Sequence, residues 1–271
     1  GEISDPRAGK ALGDLLVCHH TDPYLLSAVF SSLNEQNVSE ALAVLLSETP
    51  KDPTQMDPVL SNVIEIAAAY GQTNTLQQAF HRSVKPSPNP IDNLPQLTHL
   101  LTVAGRNDLD LTGSLDVNDL ENFRQITSTA ETIAVDATKN SDRRLTAIRF
   151  LVCAPTPNST QRLSLLMGLL DPANGPEIQT AVIESLNQLK DPSVASELLS
   201  RWTQLSPSVR DQAIELLLTR KLWTEMILQE IQQGQLKMAD LTPLHQQRLL
   251  VHPDQAIREV TMNLIRGDEN S

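Results

Sequence analysis

Aromatic residues are scarce in this chain: two Trp, two Tyr and four Phe among 271 residues, or 3%. That scarcity argues against a β-sandwich, whose core leans on aromatic and β-branched residues. Hydrophobic residues still make up 40% of the chain, mostly Leu, Ala, Ile and Val. A core is therefore available, packed through small and aliphatic side chains. Basic residues also fall short, 21 against 33 acidic ones, for a net charge of −12. Nucleic-acid binders normally carry a basic footprint, so this balance argues against a nucleic-acid partner and against anionic membrane surfaces. It serves solubility, and it leaves a basic protein partner as the sharper alternative. No apolar run reaches the roughly 18 residues of a membrane-spanning helix, so no direct membrane insertion is expected. The opening GEISDP has neither Met nor a signal-like stretch, and the chain reads as a piece of a longer protein.

Cysteine is nearly absent too. Cys18 and Cys153 stand far apart in apolar helical contexts, where buried free thiols are the expectation. There is no C-x-x-C and no zinc spacing. Cys18-His19-His20 is no metal motif either, because adjacent helical side chains diverge. His245 and His252 are seven apart, but Pro253 ends the helix between them, so surface or capping roles are expected. No nucleophile elbow, phosphate loop or H-E-x-x-H occurs. The reading is therefore no enzyme, with no catalytic, cofactor-binding or metal residues in this region.

What the chain does have is punctuation. In LKDPSVASELLSRWTQLSPSVRDQAIELLL, residues 189–218, an Asp-Pro and then a Ser-Pro each open an apolar-periodic run. Asp or Ser can cap a helix start, and Pro at the first helical position loses no bond. Val194, Leu198 and Leu199, with Trp202 a turn on, mark one helix. Val209, Ala213, Ile214, Leu217 and Leu218 mark the next, giving an αα-hairpin. Similar runs follow Asp5-Pro6, Asp22-Pro23 and Ser141-Asp142, and Pro58–Tyr70 ends at Gly71. Roughly fourteen helices can be traced, and no two-residue alternation marks a strand. The fold class is all-α.

The runs also repeat. Ala-[Ile/Val]-x-x-x-[Leu/Val] occurs at Ala28, Ala147, Ala181 and Ala213, the last three 34 and 32 residues apart. Three residues before, or nearly so, stand Arg144, Gln179 and Arg210, and Arg258 has a similar place after His252-Pro253. One such unit cannot bury its apolar face alone, so hairpins must stack into an α-solenoid. Ala147, Ala181 and Ala213 are expected at inter-helix contacts. The Trp, Gly and Tyr of a tetratricopeptide first helix are missing, whereas Asp-Pro-x-Val openings with Ala-rich helices look like short HEAT/armadillo-like repeats. The spacing lies below the usual HEAT period of about 40 or more residues. Residues 1–271 are read as a single HEAT-like domain, irregular over 85–118 and degenerate over 50–140. Arg144, Arg210 and Arg258 are expected to bond turn carboxylates such as Asp142 and Asp191. Trp202 and Trp223 are expected in packing. These five are also the candidates for protein contact.

From Glu177 to Ile265 the chain resembles the HEAT-like helical region of the multidomain PVC-type haem-binding C-x-x-C-H proteins, the putative membrane-bound dehydrogenases. The resemblance rests on DPSVASELLSRWTQLSPSVRDQAIELLLTR and ADLTPLHQQRLLVHPDQAIREVTMNLI, with Asp5-Pro6-Arg7-Ala8-Gly9 at the other end. It implies a scaffolding module between a dehydrogenase-like β-propeller and a c-type cytochrome, whose intramolecular partners are those neighbouring domains. It further implies an exported, periplasmic or membrane-associated parent with haem c elsewhere in it. The chain itself has no C-x-x-C-H, so no haem ligand transfers to any residue here. The alternatives are a stand-alone HEAT-type adaptor for a basic protein or peptide, and a HEAT-like enzyme of the bilin lyase or DNA glycosylase type. The acidic charge opposes the glycosylase.

Overall fold

The computed structural model describes residues 6–47, 53–87, 90–189 and 191–268. Among these there are fifteen α-helices, short 3₁₀ turns and no strand. The chain is all-α. Asp5, Pro88 and Asn89, which the helix-start and loop readings involve, lie outside the described residues.

The helices gather into two compact units. One runs through Ile133 and takes in Cys153–Pro155; the other comprises Ala134–Val152 and the chain from Thr156 onward. The first holds α1 (Pro6–Cys18), α2 (Pro23–Ser32), α3 (Val38–Ser47), α4 (Pro53–Ala69), α5 (Thr73–Ser83), α6 (Leu94–Arg106) and most of α7 (Val117–Val135). The second holds α8 (Ser141–Cys153, through Val152), α9 (Ser159–Gly168), α10 (Gly175–Leu186), α11 (Ser193–Ser200), α12 (Pro207–Leu217), α13 (Lys221–Gln232), α14 (Pro243–Leu250) and α15 (Gln255–Asp268).

The punctuation acts as its chemistry dictates. Asp22 caps α2, accepting from the backbone N–H groups of Tyr24 and Leu25, with Pro23 at the first helical position. Asn158 and Thr242 cap α9 and α14 in the same way. The two helices predicted over residues 189–218 form as α11 and α12, with Trp202 in a 3₁₀ turn between them. Gly71, at φ +66°, closes α4: its N–H donates to Ala68 O and that of Gln72 to Ala67 O. Only a residue at ease in the left-handed region completes this pair of end bonds cheaply. One boundary departs from the reading. α4 starts at Pro53, so Pro58 lies inside it.

Within each unit helices pack on second neighbours as well as on adjacent ones such as α3 on α4 and α14 on α15. In the first, α1 packs on α3, α3 on α5 and α4 on α6. In the second, α9 packs on α11, α11 on α13, α13 on α15, and α10 on α12. Ala147, Val182, Val194, Ala213, Trp223 and Ile227 lie in the core of the second unit. α1 and α3 approach closely because Gly9 and Gly13 present no side chain. A Cβ on Gly13 would stand 2.7 Å from Val44 Cβ and 3.0 Å from Ala41 O.

Candidate functional site

In six of the eight helices of the second unit a polar side chain near the helix start reaches back to the end of the preceding segment. Arg144 Nε donates to Ala134 O at 3.0 Å, and Arg162 Nη1 to Leu151 O at 3.1 Å. Gln179 Nε2 donates to Leu170 O at 2.7 Å, and Gln246 Nε2 to Met238 O at 3.0 Å. Arg210 donates to Trp202 O and Thr203 O; Arg258 donates to His252 O and Pro253 O. A helix leaves its last carbonyls unpaired, and a cationic donor satisfies them while opposing the end dipole. Here the structure corrects the expected partners. The three arginines bind carbonyls, while Asp191 accepts from Ser193 N–H and Oγ in its own turn. A carbonyl row lies within reach of a first-turn side chain, whereas a turn carboxylate is spent on its own loop.

The five protein-contact candidates differ in burial. Arg144, Trp202 and Trp223 are at most 6% exposed, and Arg210 and Arg258 are half-buried and engaged. Arg220, not singled out from sequence, stacks with its Cζ 4.0 Å from the Trp223 ring centroid and donates to Leu189 O and Asn187 O. It ties the end of α10 to the start of α13. The cysteine expectation also changes. Cys18 is exposed on α1. Cys153 is half-buried, its Sγ 3.1 Å from Thr102 Oγ1, and burial pushes its thiol pKa up.

Two carboxylate-centred clusters escaped the sequence reading. In the first unit, Asp119 is 1% exposed and accepts from Lys85 Nζ at both oxygens, at 2.7 and 2.8 Å. His81 Nδ1 lies 3.0 Å from Asp119 Oδ2, and its Nε2 lies 2.8 Å from Ser114 O. The Lys85 hydrogen bond, then that of His81, holds the Asp119 carboxyl below its usual range against the opposing effect of burial. The cluster fastens α5 to the start of α7. In the second unit, Glu215 on α12 accepts from His245 Nε2 at 2.8 Å and from Arg248 Nη1, both on α14. Burial pushes the Glu215 carboxyl up, but the Arg248 and His245 bonds together outweigh it and leave the group lowered. His245, expected at a surface or cap, is 2% exposed. Its Nδ1 is buried and makes no hydrogen bond, so this imidazole offers no base to solvent. Among the described residues no group of three or more His, Cys, Asp or Glu side chains could hold a metal ion.

The second unit also carries a concave feature. An open depression of about 340 Å³ lies between α8 and α10, lined by Leu145, Arg149, Pro176, Glu177, Thr180, Ala181 and Glu184. This junction is bridged at the N-cap of α10, where Arg144 Nη2 donates to Asn174 Oδ1 at 2.6 Å, and the next two are bridged as well. Gln212 Nε2 donates to Thr180 Oγ1 at 3.1 Å across α10 and α12, and Glu215 joins α12 to α14. At the depression Arg149, Glu177 and Glu184 are exposed, with no hydrogen bond or ion pair among the described residues. Single positions could have flagged these residues as charged helix faces, but only packing shows that they line one depression.

Comparison of the chain with protein-family models, with curated proteins and with solved structures finds no match.

Proposed function

We propose that the chain is a non-catalytic scaffold, built in each unit as an αα-superhelix of short HEAT-like hairpins. The resemblance of Glu177–Ile265 gives the scaffold its context, a helical module holding a dehydrogenase-like propeller and a c-type cytochrome domain in one polypeptide. One observation carries the scaffold reading. The long-range polar bonds of the second unit recur at near-constant separations: Arg144 to Asn174 spans 30 residues, Arg220 to Leu189 31, Gln212 to Thr180 32 and Lys221 to Asp254 33. Equal offsets are what stacked hairpins produce, because each hairpin repeats the neighbour relation of the one before. The recurring arginines are engaged in backbone bonds that serve such stacking.

The test is the complete reading frame. It is expected to encode repeated four-stranded blades upstream and C-x-x-C-H downstream, because thioether attachment of haem needs both thiols beside the axial His. A frame with no haem motif overturns the electron-transfer context. The second reading, an adaptor for a basic partner, then leads. It is favoured by the net charge of −12 and by the unpaired carboxylates on α10.

A further inference from the structure

We propose that the depression between α8 and α10 is a docking site for an extended basic segment of a protein partner, one with two lysine or arginine side chains three residues apart. The inference deepens the protein-interaction reading and is independent of the haem context.

The argument starts on α10. Glu177, Thr180, Ala181 and Glu184 follow i, i+3, i+4, i+7 and so share one helix face. Thr180 is engaged by Gln212, and Ala181 is a small, buried floor. That leaves two exposed carboxylates, Glu177 and Glu184, at the two ends of the face. At 1.5 Å per residue they are separated by about 10 Å along the axis. One cationic head cannot serve both, but two can. A polyproline-II backbone turns once every three residues and rises about 9 Å in doing so. It therefore sets side chains i and i+3 on one face at nearly the carboxylate spacing. Its side-chain stems would lie on Leu145, Pro176 and Ala181, since Lys and Arg bury their methylenes readily.

The shape favours side chains over a whole element. A depression of about 340 Å³ has room for side chains but not for a third helix, which with its side chains is about 10–12 Å across. Arg149 closes the α8 wall with a positive charge. The site is thus not a uniform acidic patch, and a cation placed on the α8 side is repelled. Side-chain bonds cross from α10 to α12 and from α12 to α14, while the bond from Arg144 Nη2 to Asn174 Oδ1 crosses from α8 to the N-cap of α10, outside the lining of the depression.

The experiment uses the full chain and fluorescein-labelled peptides read by anisotropy at low and at physiological salt. The probe is Gly-Lys-Pro-Pro-Lys-Gly; the comparators are Gly-Lys-Pro-Lys-Pro-Gly and Gly-Glu-Pro-Pro-Glu-Gly. The probe is expected to bind at least fivefold more tightly than either comparator. The double variant Glu177→Gln/Glu184→Gln should weaken it at least fivefold, and Arg149→Gln should strengthen it. Asp14→Asn/Glu40→Gln, exposed carboxylates of the first unit, should leave it unchanged. Both variants should melt like the parent chain. Absence of probe binding overturns the proposal. So does equal weakening by the two double variants, which would mean diffuse attraction to an acidic surface. A reading frame without a haem motif would overturn the electron-transfer context and leave these results standing.

Discussion

His245 Nε2 donates to Glu215 Oε1 at 2.8 Å, and this bond joins α14 to α12 across 30 residues of sequence. His245 is 2% exposed and its other nitrogen has no partner, so Glu215 is the ring's sole hydrogen-bond acceptor. Removing it leaves a buried imidazole unsatisfied, at a cost of about 1–3 kcal/mol. Glu215→Ala is therefore expected to lower the urea midpoint without changing the slope. Adding His245→Leu to that variant should recover part of the loss, because the stranded polar group is gone. An unchanged midpoint in Glu215→Ala would show that the bond contributes no stability.

Asp119 gives the first unit an acid-sensitive joint. Its carboxyl is lowered by the bonds from Lys85 and His81, so the folded state favours the ionised form. The sign follows: the stabilisation is fully present above the ordinary aspartate pKa of about 3.9 and is lost as pH falls through the lower, folded value. Melting temperature followed from pH 7 to pH 2 should fall in that window. Asp119→Asn should start lower at neutral pH and show a shallower acid limb. Glu215, Asp110, Asp136, Asp191 and Asp254 are lowered as well, so part of the limb persists. An acid limb identical to that of the parent chain would count against the joint.

Gly13 sets the distance between α1 and α3. The Cβ of an alanine there would meet Val44 Cβ at 2.7 Å and Ala41 O at 3.0 Å, and the carbonyl belongs to rigid helix. Gly13→Ala should destabilise by about 1–3 kcal/mol through overpacking, although alanine is the better helix former. Gly105, with nothing within 4 Å, is the control and should tolerate alanine. Thermal melts by circular dichroism compare the two, and equal melting temperatures would remove the close-packing argument.

Ala181 and Ala213 carry the same repeat motif but not the same surroundings. Ala213 is fully buried, whereas Ala181 forms the floor of the α8–α10 depression. Arg at Ala213 has no exit, and forced burial of its charge should cost several kcal/mol, more than about 4. Arg at Ala181 can run out through the depression beside Glu177 and Glu184, so its cost should be at least about 2 kcal/mol smaller. Chemical denaturation of the two variants decides it, and equal losses would mean that the depression offers no room.

Much of this molecule follows from its sequence alone. Helical periodicity, Asp-Pro and Ser-Pro openings, and Gly71 at a helix end are local signals, and the backbone obeys them locally. That is why all-α content, the helices α11 and α12 and the end of α4 could be read from residues only a few positions apart. Burial of Trp202 and Trp223 was likewise legible, because each sits in an apolar run. The tertiary structure decided what depends on distance. Whether Arg144 meets a carboxylate or a carbonyl turns on how the preceding helix end is aimed, which no motif encodes. His81 with Asp119, and Glu215 with His245, are 38 and 30 residues apart, and nothing local marks either pair. The pattern that gave Ala147, Ala181 and Ala213 the same motif could not show that Ala181 lines a depression. That depends on how closely neighbouring helices approach, a property of packed volumes.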